Sequence, residues 1–235
     1  MAERVLCVKV SAPVASFRRP LDHNYQRTLP MPPPTTILGL AGAALGLPDR
    51  NLWSVTSPLR AVKVAVWIDE EPGLARDMWT LLKIKGASMT RSPYFRELLF
   101  QARYTLLYGG DSAATQELYK AFHDPAFPLS LGREDELVNV LLIEFQEATS
   151  GGTLLRGTVV RGDLRRLNVR PVLRPGTRIS PPIVERLPLR FEVKDDVRHP
   201  TDYQVFTFLP LSLEVEVSGV STLQCQGRNF VWLNS

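Results

Sequence analysis

The residues of this chain best able to do chemistry crowd into one stretch, SFRRPLDHNYQRTLPMPPPTTILGL, from Ser16 to Leu40. Arg18, Arg19 and Arg27 can neutralise phosphates, while Phe17, His23 and Tyr25 offer flat faces for bases, the mixture that single-stranded nucleic acid binding uses. The prolines that follow stiffen the exit and lower the entropy lost on binding. A surface loop whose arginines are merely solvated has the same composition, so residue types leave both readings open.

Gly132-Arg133 follows Leu129-Ser130-Leu131 and precedes Glu134-Asp135-Glu136. A backbone amide at Gly132 plus the Arg133 fork would make a small phosphate seat; an arginine paired to its neighbouring carboxylates is the competing reading. A third candidate is the insertion EEPGLARDMWTLLKIKGASMTRSPYFRE, too long for a hairpin turn, with Lys83, Lys85, Arg91 and Arg96 beside Tyr94 and Phe95. It should project as an arm, either against a nucleic-acid backbone or a partner subunit, or as a long solvated hairpin.

Enzyme chemistry finds little support. His23, His123 and His199 are far apart, none lies in an HxxxH or HExxH spacing, and Cys7 and Cys225 are too few to complete a zinc site. No metal and no cofactor is therefore expected. GLAGAALG lacks both the GxGxxG pattern and the Lys-Ser/Thr ending of a Walker loop, so its glycines read as packing residues. What survives is metal-free RNA cleavage, in which one group takes the 2′-hydroxyl proton and another protonates the leaving oxygen; His23 with Tyr25 could supply such a pair.

Composition bounds these readings. A chain of 235 residues, 44% hydrophobic and 22% charged, can bury a real core as one elaborated domain or two small ones. A net charge of +4 is too small to coat nucleic acid by bulk attraction, so any polyanion must be held on a local patch. From Arg156 to Arg178 seven arginines face one acid, Asp163, whereas acids gather at Asp69 to Glu71 and Glu134 to Glu136. An arginine-only segment favours forked hydrogen bonding to phosphate. Two isolated cysteines suit a reducing compartment. The apolar run from Ile37 to Leu47 is too short for a bilayer and no signal-like N-terminus is present, so a cytoplasmic protein with no membrane partner is expected.

These groups must be positioned by a few elements. RVLCVKVS, from Arg4 to Ser11, alternates as a half-buried strand, and Thr35 or Thr36 can cap a helix over ILGLAGAALGL that Gly46 and Pro48 stop. Leu59 to Asp69 and Leu98 to Tyr108 read as strands flanking the arm. Asp111 or Ser112 caps a helix to about His123, and Val138 to Phe145 is a further strand. The order β-α-β-(arm)-β-α-β is that of an α+β, ferredoxin-like split βαβ domain. From Thr149 onward, strand-like runs at Leu189 to Lys194, Tyr203 to Leu209 and Leu211 to Val217 suggest a β-rich C-terminal part. The expected division is 1–148, with the arm at about 75–97, and 149–235.

The run RRPLDHNYQRTLPMPPPTTILGLAGAALG, with FPLSLGRED and the later YQVFTFLPLSLEVEV, resembles the fifth Cas subunit of type I CRISPR effector complexes (Cascade), in the RAMP superfamily. The long PPPTT-helix form is similar to the type I-B branch. The resemblance implies a modified ferredoxin-like (RRM-like) fold with a protruding thumb, which 75–97 would fill. It also implies an antiviral ribonucleoprotein role: capping the 5′ handle of the CRISPR RNA, packing the thumb beside the first backbone subunit, and receiving the large subunit that recognises the PAM. Carried over, Arg18, Arg19, His23, Tyr25 and Arg27 match the N-terminal RNA-binding motif and Gly132 with Arg133 the Gly-Arg motif; Lys85, Ser88, Arg91 and Arg96 are placed on the thumb by position. One branch of that family cleaves precursor CRISPR RNA with a Tyr, Lys and His set, but no Lys-His dipeptide exists here, which favours a non-catalytic cap over a metal-independent endoribonuclease. The Arg156 to Arg178 segment could serve RNA backbone, target DNA near the PAM, or the large subunit.

Overall fold

The computed structural model describes residues 2–86, 88–173, 176 and 179–235. Arg174 and Arg178, which close the arginine-rich segment, lie outside the described residues. Along the chain run β1 (Glu3–Ala15), β2 (Tyr25–Gln26), α1 (Pro34–Ala44), α2 (Asp49–Leu52), β3 (Val62–Glu70), β4 (Gly73–Lys85) and β5 (Ser88–Gly110). Next come α3 (Ser112–His123), β6 (Asn139–Ser150), β7 (Leu154–Leu155), β8 (Val159–Arg161) and β9 (Asn168–Val172). The chain closes with β10 (Ile183–Lys194), β11 (Val197–Phe208), β12 (Glu214–Ser218), β13 (Leu223–Cys225) and β14 (Arg228–Phe230). The result is a strand-rich mixture of α and β.

In the main sheet the long strands lie in the order β6-β1-β5-β3, every neighbour antiparallel. Helices α1 and α3 pack against each other and against this sheet. Alternation in β1 sends Leu6, Val8, Val10 and Ala12 toward the larger core that includes Leu38, Leu118 and Phe122 from the helices. Val5 and Cys7 point the other way. That face is also covered, by Trp67, Cys225, Phe230 and Trp232, so β1 is buried on both sides rather than half-buried. Cys225 and Phe230 in this cover belong to β13 and β14, which the sequence reading had not placed as strands.

The first helix corrects the capping expectation. Its N-cap is Pro33, with no side-chain cap, and Thr35 and Thr36 lie within the first turn. Proline at the first helical position carries no amide needing a partner and has a helix-compatible φ, so a proline run can open a helix directly. At α3 Asp111 is the cap, its Oδ1 accepting from the Ala114 amide at 2.7 Å.

The arm is a ribbon. Strands β4 and β5 pair without interruption from Gly73↔Phe100 to Lys85↔Ser88, whereas β1 accompanies β5 only from Leu99 to Tyr108. The distal ribbon thus leaves the main sheet, accompanied among the described residues only by β2, parallel at Tyr25↔Phe95 and Gln26↔Arg96. The C-terminal part adds the small sheets β10-β11-β8 and β7-β12-β9. Leu155, Phe206, Phe208 and Val215 from these sheets join the helix-side core. Among the described residues no helix is long and apolar enough to cross a membrane.

Candidate nucleic-acid interface

Where β1 ends, the chain makes a closed loop over residues 16–29. Phe17 accepts from the Leu29 amide at 2.8 Å and donates its own to Thr28 Oγ1 at 2.8 Å; Arg19 donates its amide to the Arg27 carbonyl at 3.1 Å. Asp22 is the keystone. Its buried carboxylate accepts from the Arg27 amide (2.7 Å) and guanidinium (2.7 Å to Oδ1), and its carbonyl accepts from Arg18 at 2.6 and 3.2 Å. The Arg27 hydrogen bonds hold the Asp22 carboxyl below its ordinary range. Arg19 reaches across to Glu185 of β10 at 2.7 Å.

Loop geometry decides which rings are available. Phe17 is buried, edge-on to Tyr104 at 6.0 Å, and cannot stack on a base as its position in the motif suggested. It points inward because the Phe17 and Leu29 backbones pair, carrying both side chains into the core. His23 is exposed at the loop's outer bend. Tyr25 is half-buried and donates to Glu97 Oε1 at 2.9 Å; partial burial, then that carboxylate, raises its phenol above the ordinary value. A phenol held protonated in this way is a poor general base.

The ribbon's base meets this loop. Trp79 and Tyr94 face each other across β4 and β5 and lie edge-to-face at 6.0 Å. The Tyr94 hydroxyl donates to the His23 carbonyl. The Gln26 amide lies 3.0 Å from that hydroxyl and, turned with its oxygen toward Arg18, accepts from the guanidinium at 3.0 and 3.2 Å. Two guanidiniums approach the Trp79 ring, those of Arg96 and Arg133, each 4.8 Å from the ring centroid. Arg96 also pairs with Asp77 at 2.8 Å and Arg133 with Asp135 at 3.3 Å. The indole Nε1 of Trp79 is buried and has no hydrogen-bond partner.

Gly132 joins the Gly-Arg turn to the end of β1. Its φ is +119°, and a Cβ there would overlap the Ser16 carbonyl oxygen and Glu136 Oε2. Glu136 is buried and accepts from the Ser16 amide (2.7 Å), Ser16 Oγ (2.5 Å) and the Arg133 amide (2.9 Å). The anion held in this turn is therefore the chain's own carboxylate. The Arg133 amide is thereby used inside the turn, and the Arg133 side chain is directed to Asp135 and the Trp79 ring.

The structure thus brings Arg18, His23, Tyr25, Arg27, Arg96, Gly132 and Arg133 into one neighbourhood, with Arg19 bracing the loop from behind. It separates the rest. Lys85 and Ser88 form the last pair of the ribbon, on the same face as Trp79 and Arg96. Arg91 pairs with Leu82 on the opposite face, among exposed Met78, Ile84, Met89 and Phe95. Lys83, Lys85 and Arg91 form no ion pair among the described residues. Sequence reasoning missed Trp79, Asp22, Glu97 and Glu136. Trp79 was accessible: strict alternation on both sides of Gly86 sets Trp79 opposite Tyr94 once the segment is folded as a hairpin. Among the described residues no group of three or more His, Cys, Asp or Glu side chains could hold a metal ion.

An antiparallel four-strand core carrying two helices, with a long ribbon meeting a basic loop, defines a class before any comparison does: an α/β scaffold that presents arginines and rings at the base of an arm. The chain belongs to the family described as CRISPR-associated protein (Cas_Cas5), whose pattern matches residues 5–203. Two solved structures share its fold. One is a chain of a CRISPR RNA-guided surveillance complex, 17% identical with a TM-score of 0.55, the match covering 94% of this chain and 91% of that one. The other is a CRISPR protein from Archaeoglobus fulgidus, 13% identical with a TM-score of 0.56, covering 97% and 99%. No curated protein sequence is a significant match.

Proposed function

We propose that this chain is a non-catalytic, CRISPR RNA-binding subunit of a type I (Cascade) effector complex, of I-B-like form, that caps the 5′ handle of the guide. Family membership supports the effector context, and one observation carries the binding site: Trp79 on the ribbon is approached by Arg96 of the ribbon and by Arg133 of the Gly-Arg turn. Three segments remote in sequence are held together there, because Tyr94 beside Trp79 also grips the His23 carbonyl. Each guanidinium meets its acid through Nε, which keeps the terminal N–H groups for phosphate, and His23, exposed on the loop that Tyr94 grips, suits stacking.

In this reading the β6-β1-β5-β3 sheet with its two helices is the ferredoxin-like domain, residues 149–235 are a β-rich appendage to it, and the β4–β5 ribbon is the thumb. The thumb has two unlike faces. Trp79, Lys83 and Lys85 face one way and suit RNA. Met78, Leu82, Ile84, Met89 and Phe95 face the other and suit the first backbone subunit, since exposed apolar side chains in this number ask for cover. The large subunit and target DNA near the PAM would meet other surfaces, the arginine-rich segment among them. Handle recognition then proceeds by backbone contacts, stacking and a few base-edge hydrogen bonds, while pairing along the guide supplies target specificity.

Incubating the purified protein with repeat RNA in EDTA tests the reading. Binding of handle-containing RNA without cleavage is expected. Specific cleavage that disappears in His23→Ala or Tyr25→Phe would replace it with the metal-independent endoribonuclease.

A further inference from the structure

The two edges of the main sheet are treated differently. At β3 the edge is sealed: Leu233 donates its amide to the Val64 carbonyl (2.9 Å), Asn234 bonds the Val64 amide and the Val62 carbonyl (2.8 Å each), Thr158 Oγ1 donates to the Val66 carbonyl (2.8 Å), and the Ile68 amide reaches the Gly157 carbonyl (2.8 Å). At the other edge stands β6. It pairs with β1 along Asn139 to Ala148, but on its outer side β13 meets it only at Thr149 and Ser150. Among the described residues no other strand covers the outer edge of 139–147. Leu141 and Leu142 on it are 52% and 46% exposed, as is Leu137 just before it at 55%.

Open edges in folded proteins are normally short, or guarded by lysine, proline or an inward charge, because unpaired amides and carbonyls template the addition of another strand. This edge has one irregularity, a register shift that leaves Leu141 unpaired between Lys9↔Leu142 and Val10↔Val140, but no lysine or proline guard. From Leu137 to Ile143 the sequence LVNVLLI carries no charge and no proline, and from Leu137 to Ser150 there are two glutamates, Glu144 and Glu147, and no lysine or arginine. In a chain of net charge +4 this is an acidic edge, the wrong sign for RNA. Beside it a recess of about 410 Å³ is lined mostly by apolar side chains, Phe122, Pro125, Leu129, Val138 and Ile143 among them, with polar His123 and Asn139, room for side chains leaning in from an added strand.

We propose that residues 139–147 of β6 accept an extended strand from another protein subunit of the complex, completing the sheet by β-augmentation. The incoming segment carries apolar residues opposite Leu141 to Ile143 and lysine or arginine near Glu147 and near Glu144, whose Oε1 already accepts from Gln226 Nε2 of the β13–β14 turn at 2.7 Å. Main-chain bonds give the affinity, and the recess with the two glutamates gives the choice of partner. A second copy of this chain fits less well, since its own edge brings glutamates and no cation.

The inference rests on the chain being an effector subunit, and hydrogen–deuterium exchange on the isolated chain and on the assembled ribonucleoprotein tests the two ideas separately. The expected result is fast exchange of 139–147 amides in the isolated chain, slowed about tenfold or more on assembly. Leu141→Lys with Leu142→Lys should leave Tm unchanged and handle-RNA affinity within about twofold while weakening protein-subunit association about tenfold, or 1.4 kcal/mol. Assembly with unchanged exchange at 139–147 overturns the edge proposal alone. Protection in the isolated chain together with a concentration-dependent dimer overturns it in favour of self-pairing. A chain that neither binds guide RNA nor assembles overturns both the edge proposal and the effector reading.

Discussion

Replacing Gly132 by alanine perturbs the joint on which the RNA-facing arrangement depends. The backbone at Gly132 has φ +119°, which an L residue occupies at a cost of about 1–3 kcal/mol. The new Cβ would also overlap the Ser16 carbonyl and Glu136 Oε2, of which the first is backbone and cannot rotate aside. Ser16 must move, and Glu136 then loses one or more of its bonds to the Ser16 amide, Ser16 Oγ and the Arg133 amide. A hydrogen bond to a charged group is worth about 1.5–3 kcal/mol, so strain and one lost bond together cost about 2.5–6 kcal/mol, a fall in Tm on the order of 10 °C for a chain of this size. Gly86→Ala is the control. Its φ is +60°, but a Cβ there meets nothing within 4 Å, so only about 1 kcal/mol of conformational cost is expected. Thermal unfolding followed by circular dichroism compares the two. A Gly132→Ala protein no less stable than Gly86→Ala would refute the claim that this glycine is required by close approach to β1.

Three further changes test neighbouring parts of the site. Lys83→Gln with Lys85→Gln removes two cations that hold no protein acid, so a plot of log affinity against log salt for handle RNA should become shallower by about 1.4, at unchanged Tm. Trp79→Leu takes away the ring that orients Arg96 and Arg133; two lost cation–π contacts at about 0.5–1 kcal/mol each predict RNA binding weaker by on the order of tenfold, read by calorimetry. Unchanged affinity would show that the arginines need no platform. Asp22 gives a pH dependence: its folded carboxyl lies below the ordinary value of 3.8, so its contribution is fully present above that value and is lost as pH falls below it through the folded value. Loop order, followed by His23 or Tyr25 resonances, should persist at pH 5 and fail in acid, and Asp22→Asn should already lack it at neutral pH.

Much of the scaffold was readable because it depends on local chemistry. Asp111 before an amphipathic run names the start of α3, and alternating β-branched residues name β1, whatever the rest of the chain does. The misses share a different cause. Phe17 stands between a serine and two arginines and reads as a surface ring; only its pairing with Leu29, through a loop that closes on itself, turns it inward. Much of the cover over Val5 and Cys7, from Cys225, Phe230 and Trp232, comes from more than 200 positions away, in and just after short strands with weak patterning. The Glu136 carboxylate inside the Gly-Arg turn was hidden for the same reason. Nothing in GREDE says which acid turns back, and it is the Ser16 backbone, 120 residues earlier, that selects Glu136.

Charge shows most sharply how partners change the meaning of a residue. The opening motif presents Arg18, Arg19 and Arg27 as equal phosphate ligands, yet Arg19 is committed to Glu185 and Arg27 to Asp22. A cation already neutralised by a protein acid releases few counterions when RNA arrives, so it adds little to the salt slope. Its contribution is to shape. Arg19→Ala should therefore lower handle affinity by a similar factor at 50 and 300 mM salt, by loosening loop 16–29 against β10, and leave the slope nearly unchanged, in contrast to the Lys83 and Lys85 pair. Should Arg19→Ala instead flatten the slope by about 0.7, the Arg19–Glu185 pair must open on binding and Arg19 must reach phosphate directly. Affinity measured across salt thus separates the arginines that build the grip from the lysines that close on the RNA.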